Sequence, residues 1–470
     1  MPTYRTPDVY IEEVSVFPPS VAEVETAIPA FIGYTETARK LVDEDRRGKP
    51  TKIYSFTQYE QYFGSAKDEQ ITVELTGTSP NYSASVVRQT ATYLMYYAVK
   101  MFFDNGGGKC YVVSVAGYEE PSSIEGELLK AGLDAVAMED EPTLLVVPEA
   151  VRLPSAEYGE LSIAMLQQCA LLKDRFAILD LQVEADDAEE DDEDEEFDSE
   201  AVNTARALFG TDNLKYGAAY YPFLRSTQTH RVRNTDDGTA TNVSVEIREA
   251  AGVDLGTLKD SDTSAYNAVK SALKQHYVKL PPSGAVAGVY AAVDTARGVW
   301  KAPANVSLAG VLEPSVKLGT EQQDELNVDA LTGKSVNAIR AFSGKGTLVW
   351  GARTLAGNDN EWRYVSVRRF FSMVEESIKK STHWAVFEPN DANTWVKVRG
   401  MIENYLTQKW REGALAGATT KEAFFVRCGL GTTMTSQDVL EGRLNVEVGM
   451  SAVRPAEFVI LKFSHKLQTS

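Results

Sequence analysis

Short, almost continuously apolar runs separated by helical stretches constrain the fold of this chain more than any other feature. TLLVVPEA, RFAILDL and KYGAAYYPFL are three such runs, and helical stretches around Glu160–Lys173 and near Glu200–Phe209 lie between them. A strand that is apolar at every position needs cover on both faces, as in a parallel sheet flanked by helices. The sequence therefore predicts a mostly parallel α/β sheet.

The same pattern extends to both sides of these runs. Ala27–Thr35 (AIPAFIGYT) predicts a buried strand, IYSFTQYEQYFG a strand followed by a short helix, and TATYLMYYAVKMFFDNGG a helix that ends at Asn105 and Gly106–Gly108. KCYVVSVAG predicts the next strand. The small residues and prolines of Val278–Asn305 predict close helix packing, and VNAIRAFSGKGTLVWGARTL predicts strand, turn and strand. Residues 66–88 are polar and are predicted to form a loop.

Size and charge exclude several function classes. The chain has 470 residues, which allows about three domains, and no apolar run approaches the roughly 20 residues needed to cross a bilayer. No secretory signal is expected from MPTYRTPDVYIEEV, and three well-separated cysteines suggest reduced, buried thiols. The net charge of −20 argues against a nucleic-acid partner.

Much of that charge is local. Residues 184–200 carry thirteen acidic side chains and no basic one, which leaves about −7 for the remainder. The tract lacks the glycine turn and ligand spacing of an EF-hand, so we predict a solvated surface loop, with weak divalent binding as the alternative. Residues 226–265 are also polar and predict a second surface insertion.

A search for catalytic chemistry finds no motif. SGKGT has a lysine between glycines, but a phosphate loop requires GxxxxGK[ST] leading into a helix, and the apolar run LVW follows here instead. There is no GxSxG elbow and no HExxH. The four histidines are far apart in sequence, which leaves their proximity in the fold open. No catalytic, cofactor-binding or metal-binding residue is assigned.

The last hundred residues predict two helices followed by two strands. The first helix runs through Phe370 and Ile378, the second from Asp391 to Leu415, and the strands are Arg443–Met450 and Ala456–Phe463. The second helix places six apolar residues on one arc: Trp395, Val398, Ile402, Tyr405, Leu406 and Trp410. The opposite face is a stripe of four residues, Lys397, Asn404, Gln408 and Arg411. This stripe is either a solvated face or a binding surface.

Each end of the chain carries a strand without an evident partner. Residues 1–22 contain one isolated strand with its apolar residues at Val9, Ile11, Val14 and Val16. Such a strand must pair with a sheet edge, in its own subunit or in a neighbour. At the other end, Phe458 and Ile460 lie on one strand face, with Leu461 and Phe463 on the other. A strand that is apolar on both faces requires a covered sheet.

Several long stretches resemble the contractile tail sheath family, in the family's order. They are FFDNGGGKCYVVSV, LPPSGAVAGVYAAVDTARGVWKAPAN, NAIRAFSGKGTLVWGARTL, RRFFSMVEESIKKSTHWAVFEPND, NTWVKVRGMIENYLTQKWREGALAGATTKEAFFVRCG and RPAEFVILKF. The resemblance implies a mixed α/β core region (23–355), in which the predicted surface insertions near 184–200 and 226–265 match no family pattern. It also implies a C-terminal α+β sheath domain (356–453) between an N-terminal arm (1–22) and a C-terminal strand arm (454–470).

The resemblance also implies a function. Members of this family are structural subunits that polymerise helically around an inner tube, as stacked hexameric rings, and contract to drive that tube through a target envelope. The implied partners are further copies of the chain, the inner tube protein, and baseplate and terminator or cap proteins, without direct contact to nucleic acid or membrane. Assembly is expected in the bacterial cytoplasm, within a phage tail, tailocin or injection particle.

The resemblance gives two sets of residues a candidate role. The stripe Lys397, Asn404, Gln408 and Arg411 becomes a candidate inner-tube contact. The apolar residues of both arms become candidates for strands exchanged between subunits. Two alternatives stay open: a baseplate or terminator paralogue that forms a ring of fixed size, and a hydrolase-like enzyme on the same α/β core.

Overall fold

The computed structural model describes residues 20–87, 91–119, 123–183, 196–233, 242–247, 253–329, 331–458 and 460. The chain divides into two compact units. One comprises residues 25–373 with 454–470 and is called the core unit below. The other comprises residues 1–24 with 374–453 and is called the C-terminal unit. The domain boundary predicted at residue 356 differs from this division, which falls between residues 373 and 374, inside a helix.

The strands among the described residues are, in chain order, β1 Pro29–Gly33, β2 Thr51–Ile53, β3 Ile71–Thr78, β4 Asn81–Val86, β5 Cys110–Ser114, β6 Leu144–Val146, β7 Phe176–Asp180, β8 Gly217–Tyr221, β9 Leu224–Thr229, β10 Val243–Ile247, β11 Val253–Asp254, β12 Tyr277–Leu280, β13 Val306–Ser307, β14 Val311–Pro314, β15 Val336–Phe342, β16 Gly346–Val349, β17 Phe424–Arg427 and β18 Glu447–Met450.

The α-helices of the same residues are α1 Phe56–Phe63, α2 Met95–Asp104, α3 Gly126–Ala137, α4 Ser155–Leu172, α5 Ser199–Ala207, α6 Leu255–Ser261, α7 Thr263–Leu273, α8 Ser283–Arg297, α9 Thr320–Asn327, α10 Val365–Ser381, α11 Ala392–Arg411, α12 Thr420–Ala423 and α13 Ser436–Leu440. Short 3₁₀ helices lie at Pro148–Arg152, Leu214–Tyr216 and His383–Ala385. None of these helices is both long and apolar enough to span a membrane.

A nine-stranded sheet forms the centre of the core unit, in the order β13-β16-β15-β8-β7-β6-β1-β5-β2. The six strands from β15 to β5 are mutually parallel, and antiparallel strands flank them on both sides. Strands β1, β5, β6, β7 and β8 are buried at every position. The predicted mostly parallel α/β sheet is therefore confirmed. So is the predicted turn between strands at SGKGT, whose first three residues, 343–345, connect β15 to β16.

Helices α2 and α8 pack closely because two glycines remove the side chains between them. A Cβ atom at Gly284 would lie 2.6 Å from the carbonyl oxygen of Ala98, and one at Gly288 would lie 2.5 Å from that of Phe102. This close approach of the two helices explains why small residues recur in the first half of Val278–Asn305. Gly106 ends α2 with a positive φ of 94°, as the glycine run after Asn105 predicted.

Two buried carboxylates cap these two helices. The Glu149 Oε1 atom accepts hydrogen bonds from the N–H groups of Leu94 (3.0 Å) and Met95 (2.8 Å) at the start of α2. Asp180, at the end of β7, accepts the N–H of Ser283 at 2.7 Å at the start of α8. Burial raises the pKa of both carboxyl groups to about 7, although these hydrogen bonds lower it.

A small second sheet, in the order β11-β10-β3-β4, is built from two segments distant in sequence. Strand β10 pairs in parallel with β3, with Val243 opposite Ile71. A separate hydrophobic core with α6 and α7 lies against it: Ile71, Val73, Leu75, Val243, Val245, Leu255, Leu258, Ala265, Val269 and Leu273. The prediction of a loop at residues 66–88 was wrong. Its polar positions are the solvated face of the β3–β4 hairpin, whose partner lies in the predicted 226–265 insertion.

The C-terminal unit contains the predicted helices and one of the two predicted strands. Helices α10 and α11 occupy the two predicted helical runs, and β18 covers the second half of Arg443–Met450. Strand β18 pairs antiparallel with β17 in a two-stranded sheet, with Val448 opposite Val426. The predicted Ala456–Phe463 strand lies partly outside the described residues; of its positions, 456–458 and 460 are described and belong to no strand.

We predict that Glu149→Gln changes the pH dependence of stability. The folded-state pKa of Glu149 lies above its unfolded value, so its contribution is full below about pH 4 and is lost as pH rises through about 7. Glutamine keeps an acceptor for the helix N–H groups but cannot ionise. The Tm of the variant should therefore rise relative to wild type, by several degrees, between pH 5 and pH 8, since one pKa unit corresponds to about 1.4 kcal/mol.

Thermal unfolding at both pH values measures this difference. The exposed Glu127 on α3 provides the control, because Glu127→Gln removes a carboxyl group that is already in water. Parallel wild-type and Glu149→Gln curves would contradict the assignment.

Candidate assembly surfaces

Helix α11 has one buried face and one exposed face. Asp391 caps it, since its carboxylate accepts the N–H groups of Asn393 and Thr394 at 3.0 Å each. Of the predicted apolar arc, four residues are buried and two are half-buried: Val398, Ile402, Tyr405 and Leu406, then Trp395 and Trp410. The indole N–H groups of the two tryptophans reach Asn390 Oδ1 (2.7 Å) and Gly417 O (3.0 Å).

The stripe on the opposite face is solvent-exposed at all four positions, Lys397, Asn404, Gln408 and Arg411. Gln408 donates to Glu412 Oε1 at 3.0 Å, and Arg399 lies 3.6 Å from Glu403 one turn further along the helix. Within the described part of the chain, neither Lys397 nor Arg411 has an ion-pair partner. Both cations are therefore available to an external acidic group.

The two-stranded sheet presents two different faces. On the inner face, Val426 is buried, whereas Phe424, Val448 and Met450 are only half-buried. On the outer face, the Arg427 guanidinium lies 4.5 Å from the centroid of the Phe425 ring and 3.6 Å from a Glu447 carboxylate oxygen. A sheet of two strands with an incompletely covered apolar face is marginal in water and is able to accept further strands.

The N-terminal arm is fixed at its base within the C-terminal unit. Ala22 and Val24 donate their N–H groups to the Ser381 and Ser377 hydroxyls of α10, at 3.0 Å each. Between them, Glu23 pairs with the ammonium group of Lys409, which also contacts Glu412 at 2.7 Å. Burial of Lys409 acts to lower its pKa, but hydrogen bonds to Glu23 and Glu412 outweigh burial, and the pKa lies above its ordinary value. The candidate strand residues Val9, Ile11, Val14 and Val16 lie outside the described residues.

The C-terminal arm is fixed at its base within the core unit. Arg353 makes a bidentate contact with the Glu457 carboxylate at 2.7 Å for both bonds. The next residues of the arm, Phe458 and Ile460, are exposed at 73% and 80% of their surface. Leu461 and Phe463 lie outside the described residues. The exposed apolar side chains are those expected of an arm that becomes covered by another subunit.

The fold brings two of the four histidines together. The rings of His230 and His276 stack with centroids 4.5 Å apart, and His230 Nδ1 lies 3.7 Å from Glu69 Oε2, beyond hydrogen-bond distance. Burial lowers the pKa of His230 to about 4. No described histidine ring is hydrogen-bonded to a serine or a carboxylate, which was the geometry that the hydrolase alternative required; His465 lies outside the described residues.

Within the described ranges, no group of three or more histidine, cysteine or carboxylate side chains is placed to hold a metal ion. The three cysteines are free and buried, as predicted. The acidic tract lies largely outside the described residues, at 184–195, so its predicted loop stays a prediction.

The sequence reading missed the residues that fix the two arms. Lys409 and Arg353 are each buried, and each contacts a glutamate at the base of an arm, more than one hundred residues away in sequence. A buried cation has no local sequence signal, because its partner is set by the fold. The spacing of Ser377 and Ser381, one helical turn apart, was the single local hint that a chain segment lies along α10.

Two family models match this chain. The model described as the phage tail sheath protein central domain matches residues 224–355, and that of the phage tail sheath C-terminal domain matches residues 357–466. Among curated proteins, the tail sheath protein of Enterobacteria phage T4 is 26% identical over 151 residues. That match covers 31% of this chain and 23% of the phage protein, so the chain spans under a quarter of this relative's length.

Two solved structures are similar over nearly the whole chain. A chain of the six-fold symmetrised baseplate of the anti-feeding prophage is 32% identical, with a TM-score of 0.63, over 99% of this chain and 100% of that chain. A chain of an extracellular contractile injection system, the PVC sheath complex in its contracted state, is 30% identical with a TM-score of 0.62, over 99% of both chains.

Proposed function

Because the chain belongs to the contractile tail sheath family, we propose that it is a structural subunit of a sheath that polymerises helically around an inner tube. Contraction of this sheath drives the tube through a target envelope. The observation that carries the proposal is the similarity, along nearly the full chain, to a chain of a contracted sheath complex. The chain then acts mechanically, without a catalytic centre or a cofactor.

Strand addition between subunits is the proposed means of assembly. The β17–β18 sheet has a half-covered apolar face, and the C-terminal arm leaves the core unit with exposed apolar side chains. Arms that add strands to this sheet in neighbouring copies bury both surfaces and satisfy the backbone groups of both. An interface between two different patches of the same chain does not close on itself and so produces a helical tube.

The proposed partners follow from the exposed surfaces. The Lys397–Arg411 stripe meets an acidic surface of the inner tube protein, while baseplate and terminator or cap proteins end the polymer. We propose stacked hexameric rings, in keeping with the six-fold symmetry of the similar baseplate structure. Assembly takes place in the bacterial cytoplasm as part of a tail or injection particle.

The work of contraction requires no nucleotide. It comes from the difference in free energy between an extended and a contracted packing of the same subunits, with the extended packing trapped kinetically. Exchanged arms keep subunits connected during the change.

A baseplate or terminator paralogue is the second candidate, because one of the similar chains comes from a baseplate structure. Such a protein forms one ring of fixed size. Electron microscopy of the expressed complex separates the two candidates. Striated tubes of two widths support the sheath, whereas single rings alone would select the paralogue.

Deletion of residues 1–20 should abolish tube formation and leave the subunit folded. The deletion keeps the base of the arm at Ala22–Val24 but removes the strand that would reach a neighbour. Thermal unfolding of the unassembled protein should be unchanged, and sedimentation should show no polymer. Deletion of residues 2–6 alone, which spares DVYIEEVSVF, is the control and should still assemble. If the longer deletion still forms normal tubes, the N-terminal arm pairs within its own subunit and is not needed for assembly.

The double variant Lys397→Glu/Arg411→Glu should weaken binding to the inner tube. These residues lie 14 positions apart, or about 21 Å along one exposed face at 1.5 Å per residue, so the change should spare the fold. One exposed ion pair contributes only about 0–1 kcal/mol, but every subunit repeats it. We expect empty or prematurely contracted sheaths and free inner tubes in micrographs.

The matched control is Lys274→Glu/Lys421→Glu, which changes the net charge equally at exposed positions outside the stripe. Its particles should be filled and extended. If the stripe variant also gives filled, extended particles in normal number, the tube contact lies elsewhere.

A further inference from the structure

The contact between Arg353 and Glu457 joins a buried guanidinium group to a partly exposed carboxylate. The Nε and Nη2 atoms of Arg353 donate to the two carboxylate oxygens of Glu457, at 2.7 Å each, and the Tyr364 hydroxyl donates to one of them at 3.2 Å. The remaining guanidinium nitrogen, Nη1, donates to Asn327 O at 3.1 Å. Only 5% of the Arg353 side chain is exposed, against 24% for Glu457.

Arg353 is itself held by the core unit. Its N–H group donates to Asn337 Oδ1 at 2.7 Å, and Asn337 Nδ2 donates back to the Arg353 carbonyl at 2.8 Å. Asn337 belongs to β15 of the central sheet. The guanidinium group therefore projects from a backbone position that the sheet fixes, and it has little freedom of its own.

The pair is stronger than a surface ion pair. Two parallel charge-assisted bonds define both the distance and the orientation of the carboxylate. Burial alone would raise the pKa of Glu457, but hydrogen bonds and charge from Arg353 lower it, so the carboxylate is ionised at neutral pH. Removing either partner leaves the other charge in a partly desolvated position without compensation.

The position of the pair in the chain indicates its role. Glu457 immediately precedes Phe458 and Ile460, the exposed apolar residues of the arm. We propose that Arg353 and Glu457 form an anchor that fixes where the C-terminal arm leaves the subunit, so that the strand offered to a second copy of this chain begins at Phe458. The inference rests on the proposed function, because it assumes that the arm is exchanged.

The anchor matters because it shortens the free part of the arm. Upstream, Val453 donates its N–H to Ala414 O at 3.1 Å. Without the ion pair the unattached segment begins after Val453, which lengthens it by up to four residues, 454–457. A longer, freer tether lowers the effective concentration of the strand at the neighbouring sheet and adds to the entropy lost on pairing. Arg353 and Glu457 are thus positioning residues for strand exchange.

Glu457→Gln and Arg353→Lys test the anchor in the full-length chain. Glutamine removes the charge of the carboxylate, and lysine keeps the positive charge but cannot make two parallel bonds. Glu313→Gln is the matched control, because it breaks a partly exposed ion pair with Arg225 (3.0 Å) in the same unit. Spin labels at Met138→Cys and Ile460→Cys, both exposed, report the position of the arm in the unassembled subunit, since the native cysteines are buried.

We expect a narrow distance distribution between the labels in the otherwise wild-type chain and in the control, and a broad one in both anchor variants. In the unlabelled proteins, the critical concentration for tube formation should rise by about tenfold in the anchor variants and stay constant in the control. The Tm of the unassembled subunit should fall by a few degrees in Glu457→Gln, because the buried Arg353 loses its counter-charge, so tube formation is compared well below that Tm.

Each other result has a defined meaning. A narrow distribution together with normal tubes in both anchor variants overturns the anchor. Anchor variants that aggregate before assembly assign the pair to folding and also overturn it. Wild-type protein that forms no tubes defeats the proposed function, while the label distances still decide whether Glu457 fixes the arm.

Discussion

The need of each backbone N–H and C=O group for a hydrogen-bond partner is the constraint on which the rest of this structure depends. In the core unit, helices α2 and α8 begin in the protein interior, where water cannot satisfy their first N–H groups. Glu149 does so from the short 3₁₀ helix that follows β6, and Asp180 from the last position of β7. The cost is two carboxyl groups held in an apolar environment, and their raised pKa values are the direct result.

The same constraint applies to the bases of the two arms. At the N-terminal base, the hydroxyls of Ser377 and Ser381 serve as acceptors for alternate N–H groups of an extended segment. Beyond the C-terminal base, the described arm residues join no strand of their own chain. Extended chain with exposed apolar side chains gains both hydrogen bonds and buried area when it pairs with a second copy. Assembly is therefore the proposed completion of the fold.

Hydrophobic patterns in the sequence predicted the buried strands and the buried helix face, because both depend on residues close together in the chain. Continuous apolar runs predicted β1, β5, β6, β7 and β8, and the 3.6-residue period predicted which face of α11 is buried. The β3–β4 hairpin was missed because its exposed face is polar and its partner, β10, lies more than 160 residues away. Arg353 and Lys409 were missed for the same reason. Their roles depend on glutamates that are distant in sequence and that the fold brings close to them.

In the proposed contractile polymer, the base of each arm is held by its own subunit, and the end of the arm pairs with another subunit. A subunit that changes its packing must move relative to its neighbours without losing them. Flexible links alone would keep the subunits connected, but they would transmit little direction. Each arm instead leaves its unit beside a buried cation, Lys409 or Arg353, and in the proposed polymer its distal part adds to a sheet of another copy. We propose that a displacement of one subunit then pulls on its neighbour through these two points, so that contraction proceeds along the tube as an ordered change of packing.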